Sequence, residues 1–279
     1  MRAARRDQVR ALLPRSSERL DHRVRACGSP YRSTSSLLRQ YNPRTQTIDA
    51  LDPATLTPGE RSRPSPAWAS AEVAFGLAIL AAGLWWNFGF TPEVLLLFAL
   101  AACRWRGPGW RAMGLRRPLR PARALLMGAV AGVGYQFVGT YLIEPVIARA
   151  TSGVLPDVSA FRAAIGDEQR LAILLVISWT LGALVEELAV RGWFMTRLAE
   201  IGRFSTGAWA FAAVTSSALF GVAHLYQGLS GVIASALTGL VLSVLYFATG
   251  RNLWPCIIAH GCLDTTGFVL IYLGVYPGL

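Results

Sequence analysis

Residues 171–197 read LAILLVISWTLGALVEELAVRGWFMTR. The first fifteen of them carry no charge, and then Glu186, Glu187 and Arg191 arrive inside the same apolar run. A helix needs about 20 predominantly apolar residues to cross ~30 Å of hydrocarbon. Similar runs occupy 69–90, 124–148, 207–226, 232–249 and 253–273, and a shorter one, 93–103, follows a break at Thr91-Pro92. The expected fold is all-α, a polytopic transmembrane bundle of about seven spans in residues 67–279.

Composition agrees. The chain has 279 residues, 53% of them hydrophobic and only 15% charged, where soluble domains average about 25% charged. Mean hydropathy is +0.40. The net charge of +11 raises the question of a nucleic-acid partner, but all 27 basic residues are arginine and they flank spans instead of forming a binding stripe. No nucleic-acid partner is expected. Arginine without lysine suggests a GC-rich genome, hence a bacterial plasma membrane. Cys27, Cys103, Cys256 and Cys262 have no CxxC spacing, so neither a disulfide framework nor a zinc knuckle is signalled.

Residues 1–66 hold thirteen arginines against six acids, many Ser, Thr and Pro, and no apolar periodicity. They cannot bury a core and are expected to be a disordered Arg-rich tail; no run there resembles a secretory signal. Cytoplasmic loops carry excess arginine. The tail, the 104–123 loop with its seven arginines, the Arg191/Arg197/Arg203 flank and Arg251 all fall on one side if seven spans alternate from a cytoplasmic N-terminus.

Ionisable groups inside spans cost ~2.5–3.5 kcal/mol each on insertion scales, so each is a functional candidate. Three groups stand out. In the first, Glu187 and Arg191 sit at i and i+4, the spacing of a helical ion pair. That pairing leaves Glu186 without a partner in its own helix, as a carboxylate suited to general-base work. The second group is Phe220 with His224, F-x-x-x-H. The third is His260 with Asp264, again four apart, so the carboxylate can orient the ring. Alone, each has a purely structural explanation.

Taken in order on three apolar helices, E-E-x-x-x-R, F-x-x-x-H and H-x-x-x-D resemble the CAAX prenyl endopeptidase and bacteriocin-processing (CPBP) family of intramembrane proteases, the type II CAAX endopeptidases. The likeness covers about 170–270, and GLRRP (114–118) also looks like its members. The resemblance implies hydrolysis of a peptide bond in a membrane-associated protein, such as a prenylated CAAX protein or a leader peptide. It implies Glu186 as general base, His224 as its partner on the attacking water, and His260 with Asp264 at the oxyanion. An ionised Asp264 has no hydrogen to donate where the family also uses Asn, so it is expected to orient His260 as donor. Glu187, Arg191 and Phe220 take supporting roles. Zinc is possible, with Glu186, His224 and His260 as its ligands, but H-E-x-x-H is absent and a metal-free site is favoured. A proton-coupled transporter, or a non-catalytic immunity or scaffold factor, is the alternative.

Helix depth raises a difficulty. At ~1.5 Å per residue, Glu186 lies about 24 Å and His224 about 33 Å from the turn near 202, whereas His260 lies about 13 Å from the turn near 251. Straight helices would keep them apart. Tilts, or breaks at Gly221, Gly228 and Gly261, are expected to close the gap.

Overall fold

A computed structural model describes residues 65–86, 89–106, 113–151 and 153–279. The expected disordered tail, 1–66, lies outside the described residues except for its last two. The described chain is helical throughout: α1 (Pro66–Trp85), α2 (Thr91–Arg106), α3 (Pro121–Ala150), α4 (Glu168–Ile201), α5 (Thr206–Ala223), α6 (Gly228–Ala248) and α7 (Leu253–Tyr272), with a 3-10 turn at Ser159–Ala164 and another at Leu225–Gln227.

Local signals start and stop these helices. Pro66 and Pro121 occupy first turns, where a missing N–H loses nothing. Asp167, Ser205 and Asn252 accept the N–H groups of Arg170, Ala208 and Trp254 as N-caps. Among the described residues, six helices are long and apolar enough to cross a membrane. The expected seventh, α2, has 16 residues and reaches only ~24 Å at 1.5 Å per residue. About seven spans thus becomes six plus one short helix.

Hydrogen bonds sort the loops onto two faces. On one, the Ser65 N–H donates to Glu200 Oε1 at 2.9 Å, Arg116 Nη2 donates to the carbonyls of Gly250 and Arg251, and Arg251 stacks 5.0 Å over Trp209. On the other, the Asp157 N–H donates to Gln227 O and the Gly166 N–H to Tyr272 O. Arg116, Arg203 and Arg251 therefore share a face, the grouping expected from loop charge.

Helices approach closely where glycine removes the side chain, the usual device in membranes. A Cβ on Gly128 would lie 2.7 Å from Pro255 O, and one on Gly132 would strike Ala259 O, so α3 lies tight against α7. Gly221 meets Val232 and Ala236 of α6 in the same way. The largest buried cluster centres on Trp193 of α4, edge-on to Phe98 of α2 at 5.4 Å. Leu125, Leu126 and Val130 of α3 stay exposed, as a lipid-facing surface requires.

One departure from regular geometry matters most. From Ser178 to Phe194, α4 winds as a π-helix, so that the Met195 N–H still donates to Val190 O five residues back. Such i→i+5 winding is rare, and usually a single turn at a functional site. Here it spans 17 residues and carries the whole E-E-x-x-x-R motif.

Candidate active site

The first group lies on the π-segment. Glu187 and Arg191 are both fully buried, and Arg191 Nη1 donates to Glu187 Oε1 at 2.8 Å. The same oxygen faces His260 Nδ1 of α7 at 2.9 Å. Glu187 therefore does more than neutralise Arg191: it holds the histidine ring from a second helix. The sequence pairing of His260 with Asp264 is present but longer, 3.7 Å from Nε2 to Oδ2.

Asp264 has a nearer partner that the sequence did not signal. Ser178 Oγ, at the first residue of the π-segment, donates to Asp264 Oδ2 at 2.8 Å. A Cβ on Gly182 would lie 3.2 Å from the same oxygen, so a glycine there makes room for the carboxylate. Beside it, Trp179 Nε1 donates to Thr265 Oγ1 at 3.0 Å, and the Trp179 ring lies where a Cβ on Gly261 would fall. A serine in an apolar run has no motif, which is why its role emerges only in three dimensions.

Phe220 joins the second group to the other two. Its ring lies 4.5 Å from Arg191 Cζ, 4.8 Å from the His224 ring and 5.9 Å from the His260 ring. His224 caps the C-terminus of α5, with Nδ1 held 2.8 Å from Phe220 O. That bond leaves Nε2 as the nitrogen available to a ligand or water. The Tyr226 ring stands 5.8 Å away.

The three groups meet in spite of the depth difference. The π-winding has more residues per turn and less rise per residue than an α-helix, which takes up a few ångströms of that difference for Glu186 and Glu187. Of the three expected break points, only Gly228 interrupts a helix, with φ of +77° between the 3-10 turn and α6. Gly221 and Gly261 are instead points of close helix approach inside continuous helices.

The result has two levels. Glu187, Arg191, Phe220 and His260 form a buried platform. Glu186, His224 and Asp264 are partly exposed at its edge. Glu186 makes no hydrogen bond or ion pair within the described residues, yet stands in the field of His260, Asp264, Glu187 and Arg191. His224 feels His260, Asp264 and Arg191. Among the described residues, no group of three or more His, Cys, Asp or Glu side chains is close enough to hold a metal ion.

Comparison with known proteins agrees with the geometry. Residues 168–266 match the family model "Type II CAAX prenyl endopeptidase Rce1-like". No curated protein and no solved structure matches the chain. The match begins at the first residue of α4 and ends just beyond Asp264, so it encloses all three groups. Residues 168–266, the part of this integral membrane protein that builds the site, thus carry the likeness to the type II CAAX prenyl endopeptidase Rce1-like proteases.

Proposed function

We propose that this chain hydrolyses a peptide bond of a membrane-associated protein, using a water activated by Glu186. The observation that carries the reading is the junction at Phe220, where His224 and His260 share one ring and His260 reaches back to the E-E-x-x-x-R helix. Glu186 takes a proton from water held with His224 Nε2. The hydroxide attacks the scissile carbonyl, and the proton passes to the leaving amine. His260 donates to the developing oxyanion through Nε2.

The partners of His260 support that last role. Its Nδ1 faces a carboxylate oxygen, so Nε2 can donate as well only when the ring is protonated. Glu187 on one side and Asp264 on the other supply the negative charge that such a ring needs. Asp264, anchored by Ser178, orients the ring from the Nε2 side. No step is assigned to a metal. The substrate class fits a prenylated or leader-type segment presented at the bilayer, and the arginine-rich face is assigned to the cytoplasm.

The decisive experiment compares membrane-protein fragments in cells carrying wild-type or Glu186→Gln protein. Fragments present only with the wild type are expected; identical patterns would remove the proteolytic reading.

A further inference from the structure

A groove of about 480 Å³ opens on the arginine-rich face, outside the catalytic cluster, lined by Leu115, Arg117, Pro118, Ala124, Trp254 and Ile258 among others. Its walls are the first turns of α3 and α7 and the loop before α3. The volume is that of a small-ligand site. The lining is apolar apart from Arg117, which is exposed, and Arg123, next in sequence to the lining residue Ala124, is exposed as well. The 104–123 segment contains no acidic residue. Arg117 and Arg123 make no ion pair among the described residues, in contrast to Arg116, which is occupied by the Gly250 and Arg251 carbonyls.

We propose that this groove binds an anionic phospholipid of the surrounding leaflet, with its phosphate at Arg117 and Arg123 and an acyl chain between Ala124 and Ile258. Charge selects the occupant. The exposed guanidinium of Arg117 on an apolar slot, with Arg123 exposed in the adjoining first turn of α3, matches a headgroup phosphate above hydrocarbon, and arginine is the side chain best shaped for phosphate oxygens. Trp254 lies in the first turn of an apolar helix and lines the groove, the end of a span where indole rings are enriched. Pro121 and Trp254 also lie in first turns, so two positive helix ends face the same rim. The walls themselves are fixed: Gly128 and Gly132 clamp α3 on α7 just beneath, and the Asn252 side chain ties α7 to Arg116 O at 3.1 Å. The slot is therefore preformed.

The test uses the full-length protein in detergent, exposed to phosphatidylglycerol or to phosphatidylcholine of the same acyl chains, with retained lipid counted by native mass spectrometry. Wild type is expected to retain phosphatidylglycerol at least about tenfold better. Each juxtamembrane arginine contributes ~1 kcal/mol toward an anionic lipid surface, about fivefold. The double variant Arg117→Gln/Arg123→Gln should thus lose at least tenfold of the phosphatidylglycerol signal and none of the phosphatidylcholine signal. A double variant on the opposite face, Arg149→Gln/Arg162→Gln, should keep the preference. Equal retention of the two lipids by wild type overturns the proposal without needing any variant. So does an equal loss in both double variants, or displacement of the lipid by glycerol phosphate alone, which would mark a site for free anions.

Discussion

His260 Nδ1 lies 2.9 Å from Oε1 of Glu187, an oxygen that also accepts from Arg191 Nη1 at 2.8 Å. One carboxylate thus joins two helices inside the membrane-spanning region. The neighbouring Glu186 makes no such bond. Adjacent glutamates consequently do different work, and the two should separate cleanly by mutation.

Glu187→Gln removes the charge that compensates Arg191, leaving a fully buried guanidinium unpaired. Breaking a buried pair in this way costs about 3–5 kcal/mol, so a sharp fall in Tm and loss of folded protein are expected. Glu186→Gln should leave Tm within a degree or two and reduce cleavage by ~10²–10⁴, the scale of a general base. Thermal unfolding in detergent, run beside a cleavage assay, distinguishes them. Equal destabilisation by the two would merge their roles.

Ser178 is expected to act through Asp264. Ser178→Ala should lower kcat about tenfold with little change in KM, since the hydroxyl positions a carboxylate and does not bind substrate. Asp264→Asn can still accept from Ser178 and keeps the shape of the group, so its activity should stay within about tenfold of wild type. Asp264→Ala loses the partner of His260 Nε2 and should fall much further. A kcat unaffected by Asp264→Ala would remove the residue from the mechanism.

Close packing of α3 on α7 makes a contrast available within one helix. Gly132→Ala forces a methyl group against Ala259 O, and overpacking of this kind costs about 1–3 kcal/mol. Gly134 has nothing within 4 Å of a Cβ, so Gly134→Ala should be neutral or stabilising by up to ~1 kcal/mol through helix propensity. Denaturation midpoints of the two variants should therefore move in opposite directions, or one should not move at all.

The proposed activation of water by Glu186 uses no metal, so dialysis against a strong chelator should leave cleavage intact, and added zinc should not raise it. Loss of activity on chelation, restored stoichiometrically by zinc, would replace the water-activation scheme with a metal-assisted one.

The grouping of loops yields a topology test. In a protein freed of its native cysteines, Arg117→Cys and Arg203→Cys should label from the same side of a sealed vesicle, and Asp157→Cys from the other. Labelling of positions 117 and 203 from opposite sides would contradict the shared face described above.

Much of this protein can be read directly from its residues. Apolar runs long enough to span hydrocarbon leave few alternatives to a helical bundle, because a backbone in lipid must satisfy its own hydrogen bonds. The ionisable residues within those runs were identifiable for the same reason: a charge in that solvent is too costly to be incidental. Pairing of Glu187 with Arg191 followed from helical spacing. The limits were equally physical. Length alone separates six spans from seven, and α2, with its 16 residues, falls on the short side. Which carboxylate holds His260 depended on the winding of α4. An i→i+5 helix changes both the rise and the direction of every side chain along 178–194, and its hydrogen-bond register is not encoded in any local motif. Ser178 reaches Asp264 across 86 positions of sequence, and Phe220 touches Arg191, His224 and His260 only because three helices meet there. The sequence by itself determined the solvent, the helices and the cast of polar residues. Tertiary structure alone decided which of them touch, since side-chain contacts between helices depend on tilt, winding and depth that no spacing along one chain specifies.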